Sequence, residues 1–395
     1  MIAITSRIYG IRVRRPGNAG KGMGLFGDCF SGVKVLVTGH TGFKGSWLSM
    51  WLLELGAQVS GFALAAPTQP SLFQQAGLGQ RLRSHEGDVS DFNHLLRVLT
   101  AEQPDIVFHL AAQPLVRYSY QHPVETFRVN VLGTAHVLEA VRQTPSVRVC
   151  QIITSDKCYD NQETGHAYRE TDPMGGHDPY SASKGAAELA VASFRRSFFS
   201  GEAHLPVSIS SARAGNVIGG GDWALDRIVP DCIRALEQGK PIQVRHPQAV
   251  RPWQHVLEPL SGYLWLAAQQ WWQPQRHARA YNFGPETGGH VTVKTVVENL
   301  IRCWGAGSWE QAPGGHPHEA KLLQLDCSRA QQDLNWRPVF DLQENISTTV
   351  AWYRKIRQLN QTEAIFNFTV GQIHAYEEVA RQKQLAWAVP AKVLS

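Results

Sequence analysis

The chain has 395 residues, with 38 Lys and Arg against 33 Asp and Glu and a net charge of +5. The excess is local: residues 1–22 carry Arg7, Arg12, Arg14, Arg15 and Lys21 and no acid, and beyond them the two signs balance. At 43% hydrophobic and 18% charged the chain is globular rather than disordered, and a basic excess confined to a leader gives no support to a nucleic-acid or anionic-membrane partner.

No run of about 18 apolar residues is present, so no membrane span is expected. The leader also lacks the apolar core of a secretory signal. Six Cys form neither a Cys-x-x-Cys pair nor a zinc spacing, which predicts reduced thiols, no metal site and a cytoplasmic protein. Residues 1–30 are expected to be a leader that is disordered or mis-started, with Met23 as the alternative start.

The run at 33–38 (VKVLVT) predicts a strand buried on both faces that ends at Gly39. Phe43, Trp47, Leu48, Trp51, Leu52 and Leu55 follow at helical spacing, with Gly56 as a stop. Further strands are predicted at 58–63, 105–110, 149–154 and 206–211, and helices at 91–102, 124–143 and 179–198. Strand and helix alternate in this way up to residue 215, which implies an α/β fold with a doubly wound parallel sheet, because a parallel connection needs a crossover long enough for a helix. Residues 31–215 are therefore expected to be a dinucleotide-binding domain. Residues 216–358 are expected to be mainly a smaller, mixed α/β substrate lobe, with some return to the first domain and the ligand between the two. Residues 359–395 read as a polar, helical, loosely attached tail.

Gly39-His-Thr-Gly42-Phe-Lys-Gly45 joins the first strand to the first helix. Gly39 suits a tight turn, Gly42 lets a pyrophosphate approach the backbone, and Gly45 lets helix pack on strand, as in a Rossmann sheet. At the end of the second strand stands Gly61-Phe-Ala-Leu64, with neither the acid that binds the ribose of NAD nor a cation for the phosphate of NADP. Asp88, in Gly87-Asp-Val, resembles a position that contacts the adenine in short-chain dehydrogenases/reductases, and reads equally as a helix cap before Phe92.

Tyr180-Ser-Ala-Ser-Lys184 places a phenol and an ammonium one helical turn apart. The helix N-terminus and Lys184 would draw the Tyr180 pKa down toward neutrality, so that it takes a proton from a substrate hydroxyl while hydride leaves the same carbon. Thr154-Ser-Asp-Lys157 closes the fifth strand; Ser155 would bond the same hydroxyl, and Asp156 and Lys157 add an acid and a base.

On the phosphate loop, HLAAQ (109–113), the Ser155 cluster and YSASK, the chain resembles extended short-chain dehydrogenases/reductases acting on nucleotide sugars. GHTGFKGSW (39–47), TSDKCYDN (154–161), RAGNVIGGGDWALDR (213–227) and RPWQHVLEPLSGYL (251–264) resemble the CDP-glucose 4,6-dehydratase family within that group. The resemblance spans about residues 30–355 and implies NAD as cofactor, with Gly39, Thr41, Gly42, Phe43, Lys44, Gly45, Asp88, Val89, Leu110, Ala111, Ala112, Tyr180 and Lys184 as its contacts. It implies CDP-glucose as substrate, bound by Gln113, Asn216, Arg227 and Arg251, of which Arg251 is the first choice for the two phosphates. It also implies a homodimer or homotetramer paired through two long helices.

The chemistry so implied is redox-neutral. Tyr180, with Ser155, would remove the 4-hydroxyl proton while hydride passes from C4 to NAD+, Asp156 would protonate the departing 6-hydroxyl, and Lys157 would remove the C5 proton before hydride returns to C6. Lys157 stands where dTDP-type relatives have a glutamate, and acts as a base near neutrality only if its pKa falls. A UDP- or dTDP-sugar dehydratase and a 4-epimerase are the near alternatives, and an epimerase has no use for Asp156 and Lys157. A non-catalytic nucleotide-sensing relative would not need to keep Tyr180 and Lys184. His318 and Glu319 recur in the resemblance without a chemical role.

Overall fold

The computed structural model describes residues 24–200, 206–286, 290–314 and 322–389; His318 and Glu319 lie outside them. Seven strands form the central sheet: β1 Lys34–Thr38, β2 Gln58–Ala63, β3 Arg83–Glu86, β4 Ile106–His109, β5 Val149–Ile153, β6 Ser208–Ala214 and β7 Ala280–Phe283. They lie in the order β7-β6-β5-β4-β1-β2-β3, every pair parallel.

Alternate residues of one strand enter opposite cores, which is why a central strand such as β1 reads as a near-continuous apolar run. Val35 and Val37 pack with α1 (Phe43–Glu54), whereas Leu36 packs with α2 (Phe92–Glu102), α3 (Gly133–Arg142) and α4 (Pro179–Phe198). Residues 123–142 form one continuous helical stretch with a π-helical segment, Arg128–Leu132, in its middle. Asp178 caps α4 by accepting from the Ser181 N–H at 2.9 Å, and Pro179 holds its first position, so the helix begins one residue before Tyr180.

Two strands escape the sequence reading. β3 (RSHE) is a polar edge strand with no apolar alternation, and β7, inside the segment read mainly as substrate lobe, completes the sheet beside β6. Beyond β6, helices α5 (Ile228–Glu237), α6 (Leu257–Trp272) and α7 (Val293–Trp304) mix with short pairings. Val250–Pro252 runs antiparallel to His290–Thr292, and Gln254–His255 runs parallel to Val217–Ile218.

Residues 1–23 of the expected leader lie outside the described residues, but the described residues nearest both ends differ from expectation. Within the segment read as leader, Phe26 and Phe30 are fully buried, and Phe26 stacks on Trp387 with ring centroids 5.0 Å apart. The tail is not loosely attached: after α8 (Leu342–Ile356), α9 (Thr362–Gln382) buries Ile365, Phe366, Thr369, Val370, Ile373, Tyr376 and Ala380, an apolar stripe at helical spacing. Tyr376 and Trp387 meet the Trp51 ring of α1 edge-on, and the Trp51 indole donates to Glu377 at 2.8 Å.

Candidate active site

A cleft of about 1160 Å³ runs along the carboxyl ends of the strands, between the sheet and the residues that follow β6. One wall is the phosphate loop. Gly39 has a left-handed φ of +73°, and a Cβ there would lie 2.7 Å from the Ala111 nitrogen; at Gly45 it would lie 2.1 Å from the Gly39 oxygen. No other residue type fits either place. Gly42 is the N-cap of α1 and no side chain caps that end, so the first-turn N–H groups are available to an anion. The cradle therefore fits the pyrophosphate of a dinucleotide. Thr41, Phe43, Lys44, Val89, Leu110, Ala111 and Ala112 line the same cleft.

Asp88 also lines it, and its two sequence readings now separate. The cap of α2 is Asp91, which accepts from the His94 N–H at 2.9 Å, while Asp88 accepts from the Ser90 N–H at 2.8 Å and faces Arg128 at 3.4 Å. The missing acid of the second strand also has a physical counterpart. The His40 ring fills the place of a side chain at Gly61, whose Cβ would stand 2.2 Å from it, and bonds Ser84 at 2.7 Å.

The opposite wall carries the reactive groups. Ser155, at the end of β5, donates to Asp156 Oδ1 at 2.8 Å and accepts from the Lys157 N–H at 3.2 Å. Asp156 is 2% exposed, and its Oδ2 is buried without a hydrogen-bond partner. Burial raises the pKa of this carboxyl, against the opposing pull of Lys157, the Ser155 hydrogen bond, Arg251 and Lys44. Lys157 lines the cleft beside it, half-buried.

Tyr180 and Lys184, on one face of α4, are buried in the cleft wall with the Lys184 Nζ 5.8 Å from the Tyr180 ring centroid. The expected lowering of the phenol is corrected here. Burial pushes Tyr180 up to about 12, and the Ser155 hydrogen bond and the Arg227 charge draw it back only in part. Burial also lowers Lys184 to about 8. Lys44, donating to the Tyr263 hydroxyl at 3.5 Å, is lowered to about 7 by burial and by the nearby charges of Arg227 and Lys184.

Asn216, Arg227 and Arg251 all line the cleft beyond β6; Arg227 pairs with Asp222 at 2.9 Å, and Arg251 is buried. Gln113 does not join them. Its amide donates to Thr126 Oγ1 at 2.9 Å and accepts from the Leu115 N–H at 2.5 Å, so the side chain is occupied in shaping its own loop. The sequence reading missed an ion-pair bridge at the cleft, where Asp226 accepts from Arg117 at 2.7 Å and from Arg245 at 2.8 Å. No motif announces it, because Arg117 and Asp226 are brought together only by the fold.

The family model for GDP-mannose 4,6 dehydratase matches residues 36–349. A CDP-glucose 4,6-dehydratase of Salmonella typhimurium is 50% identical over 329 residues, covering 82% of this chain and 91% of that protein. Among solved structures, the UDP-glucose 4-epimerase of Thermus thermophilus in complex with NAD superposes with a TM-score of 0.69 at 26% identity, over 81% of this chain and 99% of that one. The dTDP-glucose 4,6-dehydratase DesIV of Streptomyces venezuelae, solved with NAD and TYD, superposes at 0.70 with 23% identity over 82% and 98%, a likeness of fold.

Proposed function

The chain belongs to the GDP-mannose 4,6 dehydratase family of nucleotide-sugar enzymes, and on that premise we propose that it is a hydro-lyase converting CDP-D-glucose to CDP-4-dehydro-6-deoxy-D-glucose, an entry to deoxysugar synthesis. The phosphate loop of Gly39, Gly42 and Gly45 would hold NAD, which would supply a reversible hydride store between C4 and C6, so that no net oxidation would occur. The reading rests on one observation above all: Ser155, Asp156 and Lys157 share a single cleft with Tyr180, Lys184 and the phosphate loop. The choice of CDP among nucleotides rests on the 50% identity to the Salmonella protein.

In this reading Ser155 orients the 4-hydroxyl and Tyr180 takes its proton. Burial leaves the phenol near 12 even with the Ser155 hydrogen bond and the Arg227 charge in place, so the phenolate needs all the positive charge around it, from Lys184, Arg227 and the N-terminus of α4. The ketone so formed acidifies C5. Lys157 removes the C5 proton, and Asp156, whose burial favours the protonated form, delivers a proton to the departing 6-hydroxyl. Arg251 and Arg227 meet the diphosphate, with Asn216 beside them. Residues 31–215 serve the cofactor and residues 216–358 mainly the substrate.

The same reading takes the protein to be cytoplasmic; no described helix is long and apolar enough to cross a membrane. It also takes the protein to pair as a homodimer through the helices of residues 123–142 and 179–198. Val124, Phe127, Leu132 and Leu189 leave apolar surface exposed there, Val124 at 81% and Leu189 at 62%. The deciding experiment is incubation with NAD+ and, separately, CDP-, UDP- and dTDP-glucose, reading 4-keto-6-deoxy product by mass. Product from CDP-glucose is expected, and product from either of the others without it overturns the assignment.

A further inference from the structure

A buried network ties the helix of the Tyr-Lys pair to the strand end that carries Ser155 and Asp156. Glu188 stands one turn beyond Lys184 and two beyond Tyr180 on α4, so the three share a face. Its carboxylate is 4% exposed and accepts from Thr154 Oγ1 at 2.5 Å, Ser211 Oγ at 2.7 Å and Arg213 Nη2 at 2.7 Å. Thr154 immediately precedes Ser155. Arg213 donates in turn to the Tyr159 hydroxyl at 2.8 Å, and that hydroxyl donates to Asn282 of β7 at 2.7 Å. One carboxylate thus anchors both ends of the segment from Thr154 to Tyr159.

A buried ion pair is a poor device for stability alone, since desolvation cancels most of its attraction and an apolar pair of similar volume does as well. The surroundings of Lys184 supply another reason for it. The titratable groups that face this ammonium are Tyr180 and Glu188 on its own helix, Cys158 after β5, His109 at the end of β4 and Lys44 at the start of α1. Burial keeps the Cys158 thiol and the His109 imidazole neutral, and Lys44 carries the same sign as Lys184. Glu188 is the one carboxylate in this set, and the strongest charge opposing the burial that draws the ammonium toward its neutral form.

Resting on the reading of Lys184 as the cation that supports the Tyr180 phenolate, we propose that Glu188 is a positioning residue of the reaction: it keeps Lys184 protonated and fixes the strand end that presents Ser155 and Asp156. Ser211 and Arg213 are its fixed partners on β6, and Thr154 is the handle by which it holds the loop.

The test uses the full chain with NAD+ and CDP-glucose. E188Q leaves the Arg213 guanidinium unpaired, so E188Q/R213M removes the pair together and keeps a folded protein to compare. T154V removes one hydrogen bond but keeps the carboxylate charge, and E188D restores the charge. Two quantities are followed against pH: kcat/KM, and the labelling of Lys184 by acetic anhydride read by peptide mass, which needs no turnover. In E188Q and E188Q/R213M the alkaline limb of kcat/KM and the labelling midpoint both move to lower pH by about one unit, as expected for loss of a buried opposite charge. T154V leaves both in place, and E188D returns them toward wild type. Unchanged midpoints in the Gln variants, or an equal shift in T154V, overturn the proposal. If the wild-type protein makes no product from CDP-glucose, the functional reading fails instead, and the labelling midpoint still decides whether Glu188 governs Lys184.

Discussion

Replacing Asp156 by Asn separates the two halves of the proposed reaction. The amide is nearly isosteric; its oxygen still accepts from Ser155, and its nitrogen takes the place of an Oδ2 that has no hydrogen-bond partner. What the variant lacks is the proton. General acid catalysis contributes about 10²–10⁴ in rate, or about 3–5 kcal/mol of barrier at ~1.36 kcal/mol per decade. The expected outcome is that C4 oxidation survives, so reduced cofactor and 4-ketone accumulate, while loss of water slows by about 10²–10⁴-fold. Rapid mixing with detection of reduced nicotinamide follows the first step, and mass analysis of quenched sugar follows the second. The same burial fixes the sign of the stability change. A carboxyl whose folded pKa is raised weakens the fold as pH climbs from its unfolded value through its folded one, and the deficit persists above. Asn carries no such deficit, so the variant should melt no lower than wild type at neutral pH. Elimination within about threefold of wild type refutes Asp156 as the acid, and a clearly lowered melting temperature refutes the desolvation argument.

Three further outcomes follow from the structure. Lys157→Met should still oxidise C4, with trapped reduced cofactor, but should stop solvent deuterium from entering C5; normal incorporation removes its role as base. Leu189→Glu sets a charge on the exposed apolar face of α4 and should shift sedimentation from dimer to monomer, and an unchanged dimer argues against that interface. Trp387→Ala removes a fully buried ring stacked between Phe26 and Tyr376 and should cost about 3–5 kcal/mol in denaturant unfolding. Trp387→Phe should cost far less, because the indole N–H has no hydrogen-bond partner to lose.

The parts of this enzyme legible in its sequence are those where chemistry demands a local pattern. The run from Lys34 to Thr38, the glycines at 39, 42 and 45 and the Tyr180–Lys184 spacing each encode strand, turn or helix within a few residues, and each lies where it was read. Other features are set by partners distant in the chain. β3 has no apolar alternation because it lies at the sheet edge, and β7 joins β6 only after more than sixty residues of the smaller lobe. Gln113 sits in a motif that points to substrate, yet its amide is consumed by Thr126 and Leu115. The tail reads as polar by composition, although its buried residues recur at helical spacing and a periodicity count would have found the stripe. The Tyr180 phenol departs furthest: sequence position shows the cations nearby but not the depth of burial that outweighs them.

The seal over α1 has a consequence for how the protein is made. Trp51 lies early in the chain, and the Glu377 that receives its indole N–H is 326 residues later. At about 5–20 residues per second, a ribosome needs roughly 15–65 s to bridge that interval. Until then Trp51 has Phe26 within reach but not the Tyr376 and Trp387 rings, although β1 and β2 can already pair. Over that interval the nascent chain carries a Trp51 that is only partly covered, a surface a holding chaperone can take. The helix that presents the phosphate cradle is completed by contacts translated more than three hundred residues after it.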